Sequence, residues 1–220
     1  MRRSIWSYGK VQKCVGAVAR NRRLQMALVP RLPYVNIGCG SNFRPGFINV
    51  DYEWRPGIHL CWDLRRKLPL PDASAEGIFT EHCLEHLTVD ACAEALRDLH
   101  RILAPGGVLR VIIPDGGLYI ESYLRHRRGE PVEFPYVDAE GRADFLRDSH
   151  YGFTPMMAVN RIFRGYGHLF AYDHDTIRNL LVHAGFASVE PSSFRRGRLE
   201  ALLIDSEVRA PQSLFVEAVK

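Results

Sequence analysis

Three features are missing from this 220-residue sequence, and each absence excludes a class of protein. No stretch approaches the roughly 18 consecutive apolar residues of a membrane span, and Arg2-Arg3 is not followed by the apolar segment of a secretory signal. There is no C-x-x-C pair, and an odd number of cysteines does not suit a disulfide framework. We therefore expect one cytoplasmic domain with reduced cysteines, namely Cys14, Cys39, Cys61, Cys83 and Cys92.

Acidic residues are missing from the first fifty positions, which hold nine Lys or Arg, whereas the rest of the chain holds twenty basic and twenty-five acidic residues. Residues 1–32 form a basic segment in which apolar residues recur loosely at helical spacing. Such a segment rests on an anionic membrane or polyanion, or it packs on the domain as an accessory helix. Both interpretations stay open, and Pro30 and Pro33 mark the start of the domain, residues 33–220. The apolar residues are Ile5, Trp6, Val11, Val15, Val18 and Leu28.

From Tyr34 onward, apolar runs typical of strands alternate with helical patterns. This order is typical of a parallel sheet with crossover connections. The predicted strands are YVNIG, FINVD, IHLCWD, GIFTEH and VLRVII, followed near the end of the chain by FASVEPSSF and SLFVEAVK.

Two helices are predicted with clear ends. The first runs from Thr88 to Leu103 and stops at a Pro-Gly-Gly sequence, and the second begins at Asp173 or Asp175 and ends at Gly185. Between them, residues 118–172 break the alternation. Because a long irregular segment inside a compact domain is usually functional, we expect a partly helical insertion over the active site.

The sequence VNIGCGSN, Val35 to Asn42, ends a strand in two glycines one residue apart. A dinucleotide-binding turn has a third glycine that opens a helix, and that helix holds the pyrophosphate. Here Phe43 takes that position, and only about eight residues separate the two predicted strands, fewer than a crossover helix needs. The first crossover helix is therefore predicted to be vestigial, which disfavours a dinucleotide oxidoreductase.

What remains is a glycine turn that allows close approach, with acidic residues after the next two strands. The Asp51 carboxylate suits the two hydroxyls of a ribose, and Asp63 suits the exocyclic amine of a base. A sulfonium is better matched by acids and carbonyls than by lysines. These residues favour a nucleoside cofactor without phosphates, of which S-adenosylmethionine is the obvious candidate.

Four blocks, in this order, resemble the class I S-adenosylmethionine-dependent methyltransferases, especially small bacterial members associated with polysaccharide biosynthesis. They read VNIGCGSNFRPGFINVD, LRRKLPLPDASAEGIFTEHCLEHL, RDLHRILAPGGVLRVIIPD and YGHLFAYDHDTIRNLLVHAGF. The resemblance runs from about Tyr34 to Lys220. It implies an α/β, Rossmann-like sheet of seven mostly parallel strands, and methyl transfer to a hydroxyl of a glycan or related small metabolite.

The resemblance also implies roles for individual residues. Asn36, Gly38, Cys39 and Gly40 would lie under the methionine end of the cofactor, although other members often carry an acid where Asn36 stands. Asp51 would hold the ribose, and Asp63 with Leu64 would flank the adenine. Glu81 or His82 would face the boundary between the methionine and the acceptor.

A hydroxyl acceptor also needs a base within reach. His82 and Asp115 follow predicted strands and are the main candidates, because ligands bind outside the carboxyl ends of the strands. His150 and His168 in the insertion are further candidates. The HCLEH sequence, His82 to His86, matches the spacing of some zinc peptidases. Because it directly follows a predicted strand, we expect no metal there.

Two further functions stay open. A nucleic-acid methyltransferase would use the basic segment to contact phosphates, although the remainder of the chain is net acidic. A non-catalytic protein would bind the cofactor without an acceptor. The chain alone does not fix the oligomeric state.

Overall fold

The computed structural model describes residues 4–132 and 154–220, without the side chains of residues 4–8, 10 and 11. Seven strands form one sheet in the order β3-β2-β1-β4-β5-β7-β6. β1 to β5 run parallel, and β7 is antiparallel to both β5 and β6. The strands are β1 Tyr34–Ile37, β2 Phe47–Asp51, β3 Leu60–Cys61, β4 Ala75–Glu81, β5 Leu103–Pro114, β6 Ser188–Pro191 and β7 Ser213–Val219.

This sheet confirms the Rossmann-like α/β fold class. The second strand has its predicted bounds, whereas β3 contains only two residues and β5 begins earlier than predicted, at Leu103. Leu103 pairs with Ala75, and the register then shifts before Gly77 pairs with Val108. The predicted turn at Pro105-Gly106-Gly107 is therefore an irregularity within β5, not a gap before it.

The first crossover is vestigial, as predicted. Residues 38–46, all of which the structure describes, contain turns and no helix. Parallel pairing between β1 and β2 places Ile37 beside Val50, so the short connection returns directly to the neighbouring strand. The carboxyl ends of β1 and β2 are consequently left without the helix N-terminus that holds a diphosphate in dinucleotide-binding folds.

Five α-helices surround the sheet in the described residues: α1 Ser4–Ala19, α2 Val89–Ile102, α3 Gly116–Arg127, α4 Pro155–Arg164 and α5 His174–His183. The Thr88 hydroxyl caps α2 by accepting from the Ala91 amide, and the Asp173 carboxylate caps α5 by accepting from the Thr176 amide. Such caps satisfy amides that the first helical turn leaves unpaired. Short 3₁₀ segments lie at Arg23–Ala27, Leu84–His86, Gly165–Gly167, Glu200–Leu202 and Ala210–Gln212.

The insertion predicted over residues 118–172 contains much of α3 and all of α4, which pack through Tyr119, Ala158 and Ile162. Residues 133–153, including the predicted base candidate His150, lie outside the described part of the chain. The main core lies between the sheet and its helices. It includes Ile37, Val50, Leu96, Leu99 and Val111, all at most 1% exposed.

The segment after α1 covers the β3 edge of the sheet. The Asn21 amide donates to the Cys61 carbonyl at 3.1 Å, and the Gln25 Oε1 accepts from the Cys61 amide at 2.8 Å. Unpaired strand edges invite association, so this contact protects the edge. It supports the accessory interpretation for residues 21–25, while membrane contact by residues 1–32 stays a prediction. Among the described helices, none combines the length and apolar character that crossing a bilayer requires.

All five cysteines are free, as predicted. Cys39, Cys61 and Cys92 are buried, and Cys14 is exposed. Burial raises the pKa of the Cys39 thiol to about 12 and that of the Cys92 thiol to about 11. Both are therefore neutral packing residues near neutral pH.

Candidate active site

A cavity of about 680 Å³ opens at the carboxyl ends of β1, β2 and β4. The chain passes from β1 to β2 on one side and from β3 back to β4 on the other, so this is the point where the strand order reverses. Open α/β sheets bind their ligands at such points. The volume lies in the range of small-molecule sites.

Two glycines of the turn after β1 serve different purposes. Gly38 has φ of +66°, and a Cβ atom there would lie 2.3 Å from the Cys83 Sγ. Gly40 has φ of +55°, and a Cβ atom there would meet no atom of the described residues within 4 Å. Gly38 is therefore required by packing within the protein, whereas Gly40 leaves open space where a ligand can approach.

Asp51 joins the glycine turn to the end of β2. Its Oδ2 accepts from the Gly40 amide at 2.7 Å, and its Oδ1 accepts from the Glu53 amide at 2.8 Å. An ionised carboxylate has about four acceptor positions, so each oxygen keeps one for a ligand. The carboxylate lines the cavity and is fixed in orientation before any ligand arrives.

Asn36 lies beneath the turn, 2% exposed. Its Nδ2 donates to the Asn42 carbonyl at 3.0 Å and to the Asn49 Oδ1 at 3.1 Å. Because both hydrogens of the amide nitrogen are used, the amide oxygen is the group that Asn36 can offer a ligand. Other family members often carry an acid at the position of Asn36. The Asn36 oxygen is also an acceptor, so it can still suit the ammonium group at the methionine end of the cofactor.

Asp63 and Leu64 line the cavity beyond β3. The Asp63 carboxylate forms an ion pair with Arg65, with Oδ2 and Nη2 at 2.7 Å. These hydrogen bonds hold the pKa of Asp63 below its ordinary value. The Asp63 amide donates to the Asn21 Oδ1 at 2.9 Å, so the N-terminal segment also fixes this side of the cavity.

Glu81 and His82 lie at the end of β4 and line the cavity. The Glu81 Oε1 accepts from the Ser206 amide at 2.8 Å, and burial raises the pKa of this carboxyl. His82 has φ of +50°, an uncommon conformation for a residue other than glycine. Burial, with the nearby Arg209, lowers the pKa of His82 to about 3, so the imidazole is neutral.

Asp115 is absent from the residues that line this cavity. Its Oδ1 accepts from the Leu118 amide at 3.1 Å and caps α3, and its backbone forms a bridge with Tyr172. The structure therefore does not bring Asp115 together with the other predicted site residues. The position at the end of a strand was correct, but its side chain turns to the helix that starts there.

His86 and Arg209 also line the cavity, and neither was predicted to bind a ligand. Arg209 comes from the segment before β7, and its Nη1 donates to the Glu81 carbonyl at 3.3 Å. No local pattern marks this arginine, because its approach to β4 depends on the path of the chain after β6.

The cavity fits S-adenosylmethionine by its chemistry. Open space faces Gly40, the Asp51 carboxylate has acceptor positions for a diol, and the described turn offers no helix N-terminus for phosphate. The nine predicted cofactor-contact positions all line it, namely Asn36, Gly38, Cys39, Gly40, Asp51, Asp63, Leu64, Glu81 and His82.

Residues 39–111 match the family model of a methyltransferase domain. No curated protein matches the chain. Solved structures with similar folds include an S-adenosylmethionine-dependent methyltransferase from Thermotoga maritima, with 19% identity over 99% of this chain and 97% of its own and a TM-score of 0.49. Another, from Archaeoglobus fulgidus, has 17% identity over 95% of this chain and 94% of its own, with a TM-score of 0.49. A third, from Mesorhizobium loti, has 20% identity over 90% of this chain and 96% of its own, with a TM-score of 0.45. At these levels the three structures carry no weight for function.

The matched segment spans β2, β3 and β4, with the turn residues and strand ends that line much of the cavity. The chain therefore contains a match to a methyltransferase domain over residues 39–111, within a Rossmann-like sheet and beside a cavity whose chemistry fits S-adenosylmethionine.

Proposed function

We propose that the acceptor is a hydroxyl group of a glycan or a related small metabolite. The observation that carries this proposal is the polarity of the cavity at its β4 end. There the neutral His82 and the exposed edge of His86 lie beside Arg209 and Thr88. Imidazole, guanidinium and hydroxyl groups suit an oxygen-rich acceptor, because each pairs with hydroxyls through hydrogen bonds.

For the cofactor, we propose that Asp51 binds the ribose hydroxyls and that Asp63 and Leu64 flank the adenine. Asn36, Gly38, Cys39 and Gly40 would lie under the methionine end, with the Asn36 oxygen accepting from the ammonium. The support is that Asp51 is already oriented by the Gly40 and Glu53 amides. Such pre-orientation reduces the free energy lost on binding.

The bound cofactor supplies an already activated methyl group. What the protein adds is the position of the acceptor relative to it. We propose that His82 and Glu81 lie at the boundary between the two. A neutral His82 accepts a hydrogen bond from a hydroxyl and so orients its oxygen, but its lowered pKa makes it a weak base. Asp115 caps α3 outside the cavity, so we do not propose it as a base.

We place the reaction in the cytoplasm, where free cysteines persist. The five free cysteines support a reducing compartment. The association with polysaccharide biosynthesis is part of the same proposal and rests on the sequence resemblance.

A methyl-transfer assay with labelled cofactor tests the acceptor. The panel contains extracted glycans, nucleotide sugars and bulk RNA, and Asp51→Ala is the control for cofactor-dependent labelling. We expect base-stable label in the glycan or nucleotide-sugar fractions only, as methyl ethers resist mild alkali. Label in RNA would favour the nucleic-acid alternative. Cofactor binding without label in any fraction would favour a non-catalytic protein, and either result would overturn the proposed acceptor.

A further inference from the structure

Glu85 is a buried carboxyl that accepts no hydrogen bond from any described residue. The residue is 1% exposed, and within the described part of the chain neither carboxyl oxygen has a partner. Burying an unpaired carboxylate costs several kcal/mol, and the large majority of buried side-chain polar atoms are paired. A group of this kind therefore calls for a cation or a proton that satisfies it.

Three imidazole rings surround the same carboxyl oxygen. His82 Nδ1, His86 Nε2 and His168 Nε2 each lie 3.9 Å from the Glu85 Oε1. This distance is too long for a direct hydrogen bond. The ligand atoms of Glu85, His86 and His168 all lie within 4.8 Å of one another. Three potential donors of electron pairs thus converge on one small volume, and His82 lies beside it.

The hydrogen-bond partners of two rings assign their tautomers. His168 Nδ1 lies 2.8 Å from the Ile162 carbonyl, which only accepts, so this nitrogen carries the hydrogen. The Ser213 hydroxyl donates to the Arg209 carbonyl, so His82 Nε2, 2.8 Å away, must donate to that hydroxyl. Both rings consequently present a lone pair, not an N–H group, to Glu85.

The backbone fixes the two chain segments that meet here. The amides of Leu169 and Phe170 both donate to the Glu85 carbonyl, at 2.8 and 3.2 Å. His168 also follows the pattern of metal-ligating histidines, which donate their other ring nitrogen to a carbonyl or carboxylate. Its ring lies edge-on to His86, with centroids 5.0 Å apart. Glu85 and His168 are therefore held by buried structure, whereas His86 reaches them from the exposed side.

We propose that Glu85, His86 and His168 bind a divalent first-row transition-metal ion such as Zn²⁺. Two imidazoles and a carboxylate are the ligands of several zinc and iron sites, whereas Mg²⁺ prefers oxygen ligands. Ligand atoms about 2.0–2.1 Å from a tetrahedral Zn²⁺ lie about 3.3 Å apart. Movements of a few tenths of an ångström per side chain close the 3.9 Å between Glu85 and each ring. The separation between the two rings, at most 4.8 Å, needs a shift of up to about 1.5 Å, which the exposed His86 can make. This proposal reverses the expectation that HCLEH binds no metal.

The ion would lie at the acceptor end of the cavity, because His82, His86 and Leu169 all line it. Three protein ligands leave at least one coordination position for an oxygen of the acceptor, and a metal lowers the pKa of an oxygen ligand. This second step rests on the proposed hydroxyl acceptor. Metal binding itself does not, so it is measured without cofactor or acceptor.

The test is a titration of chelator-treated protein, purified without a polyhistidine tag, with Zn²⁺ in a calorimeter. We expect one equivalent to bind, Mg²⁺ not to compete, and His168→Gln and Glu85→Gln to weaken binding by at least about 100-fold. The matched control is His183→Gln, the same change at an exposed histidine of α5, which should leave the affinity unchanged.

Absence of Zn²⁺ binding by the folded wild type would overturn the proposal and leave Glu85 as a neutral acid. Binding that both variants retain would show an adventitious site and would also overturn it. If a buried substitution prevents folding, His86→Gln decides, because the His86 side chain is 42% exposed and tolerates change. Cofactor affinity, measured separately, distinguishes failure of this site from failure of the proposed function.

Discussion

Arg110 and Glu85 are both buried ionisable residues beside the central strands, and their surroundings differ. Arg110 lies on β5 at 0% exposure, and its guanidinium forms ion pairs with Asp205 and Glu217. Further hydrogen bonds reach the carbonyls of Ser193 and Arg196. Glu85 is equally buried, yet no described residue donates a hydrogen bond to its carboxyl.

The difference points to different roles, because Arg110 stabilises the fold whereas Glu85 belongs to a candidate binding site. A buried charge with all its partners inside the protein holds the fold together, as Arg110 holds the segment after β6 against β5 and β7. A buried carboxyl that no described residue pairs with, next in the chain to the cavity-lining His86, has kept its capacity to bind a group from outside the chain. The predictions below test this contrast, beginning with the largest expected effect.

Replacing Arg110 by Met should lower the free energy of unfolding by about 3–5 kcal/mol, because Asp205 and Glu217 are left buried and unpaired. Urea denaturation followed by circular dichroism measures this change. Neutralising both acids in the same chain, with Asp205→Asn and Glu217→Gln, should recover part of the loss. A loss under about 1 kcal/mol would mean that the cluster is not structural.

The same contrast applies to the two glycines of the turn. Gly38→Ala should cost about 2–4 kcal/mol, because the added Cβ combines a strained φ with a clash against Cys83. Gly40→Ala should lower the free energy of unfolding by only about 1–2 kcal/mol, from its positive φ alone. It should weaken S-adenosylhomocysteine binding more than Gly38→Ala does. Equal losses of stability in the two variants would contradict the distinction between a packed and an open glycine.

Zinc should stabilise the wild type and not Glu85→Gln. At a free concentration 100 times the dissociation constant, a bound ion adds about 2.7 kcal/mol, which corresponds to roughly 5–10 °C in Tm for a chain of this size. Differential scanning fluorimetry with and without chelator measures the shift. An equal shift in the variant would remove Glu85 from the ligands.

Arg65→Ala should have the smallest effect on stability, under about 1 kcal/mol. The arginine side chain is 61% exposed, and exposed ion pairs contribute little. Thermal unfolding compared with the wild type checks this. A larger loss would indicate that the Asp63–Arg65 pair is a structural cluster like that of Arg110.

The sequence predicted those parts of the molecule that local signals control. The helix beginning near Thr88, the cap at Asp173 (one of two predicted alternatives), the bounds of β2 and the missing first crossover helix are set by residues close in the chain. Asp51 and Asp63 followed from the acidic residues after two predicted strands, and most of the other positions around the cavity came from the family resemblance. The proposed role of Asp115 as a base gains no support, because its carboxylate caps the helix that starts there and does not line the cavity.

The approach of the histidine rings to Glu85 could not be predicted from residues close to it in the chain. The zinc-peptidase spacing of HCLEH requires an α-helix. Here His82 adopts φ of +50°, and residues Leu84–His86 form a 3₁₀ turn. The ring of His168 arrives from the segment after α4, through backbone bonds from Leu169 and Phe170 to Glu85. Contacts between segments so far apart in the chain depend on how the folded domain packs. No periodic pattern in the sequence encodes them.

Calorimetric titration with S-adenosylhomocysteine tests the central claim most directly, namely that the cavity at the ends of β1, β2 and β4 binds the cofactor. The wild type should bind one equivalent with micromolar affinity, and Asp51→Ala should lose at least about tenfold, the equivalent of 1.4 kcal/mol. His183→Gln, an exposed position of α5 that does not line the cavity, serves as the folded control. A folded wild type that binds neither S-adenosylhomocysteine nor S-adenosylmethionine would contradict the account.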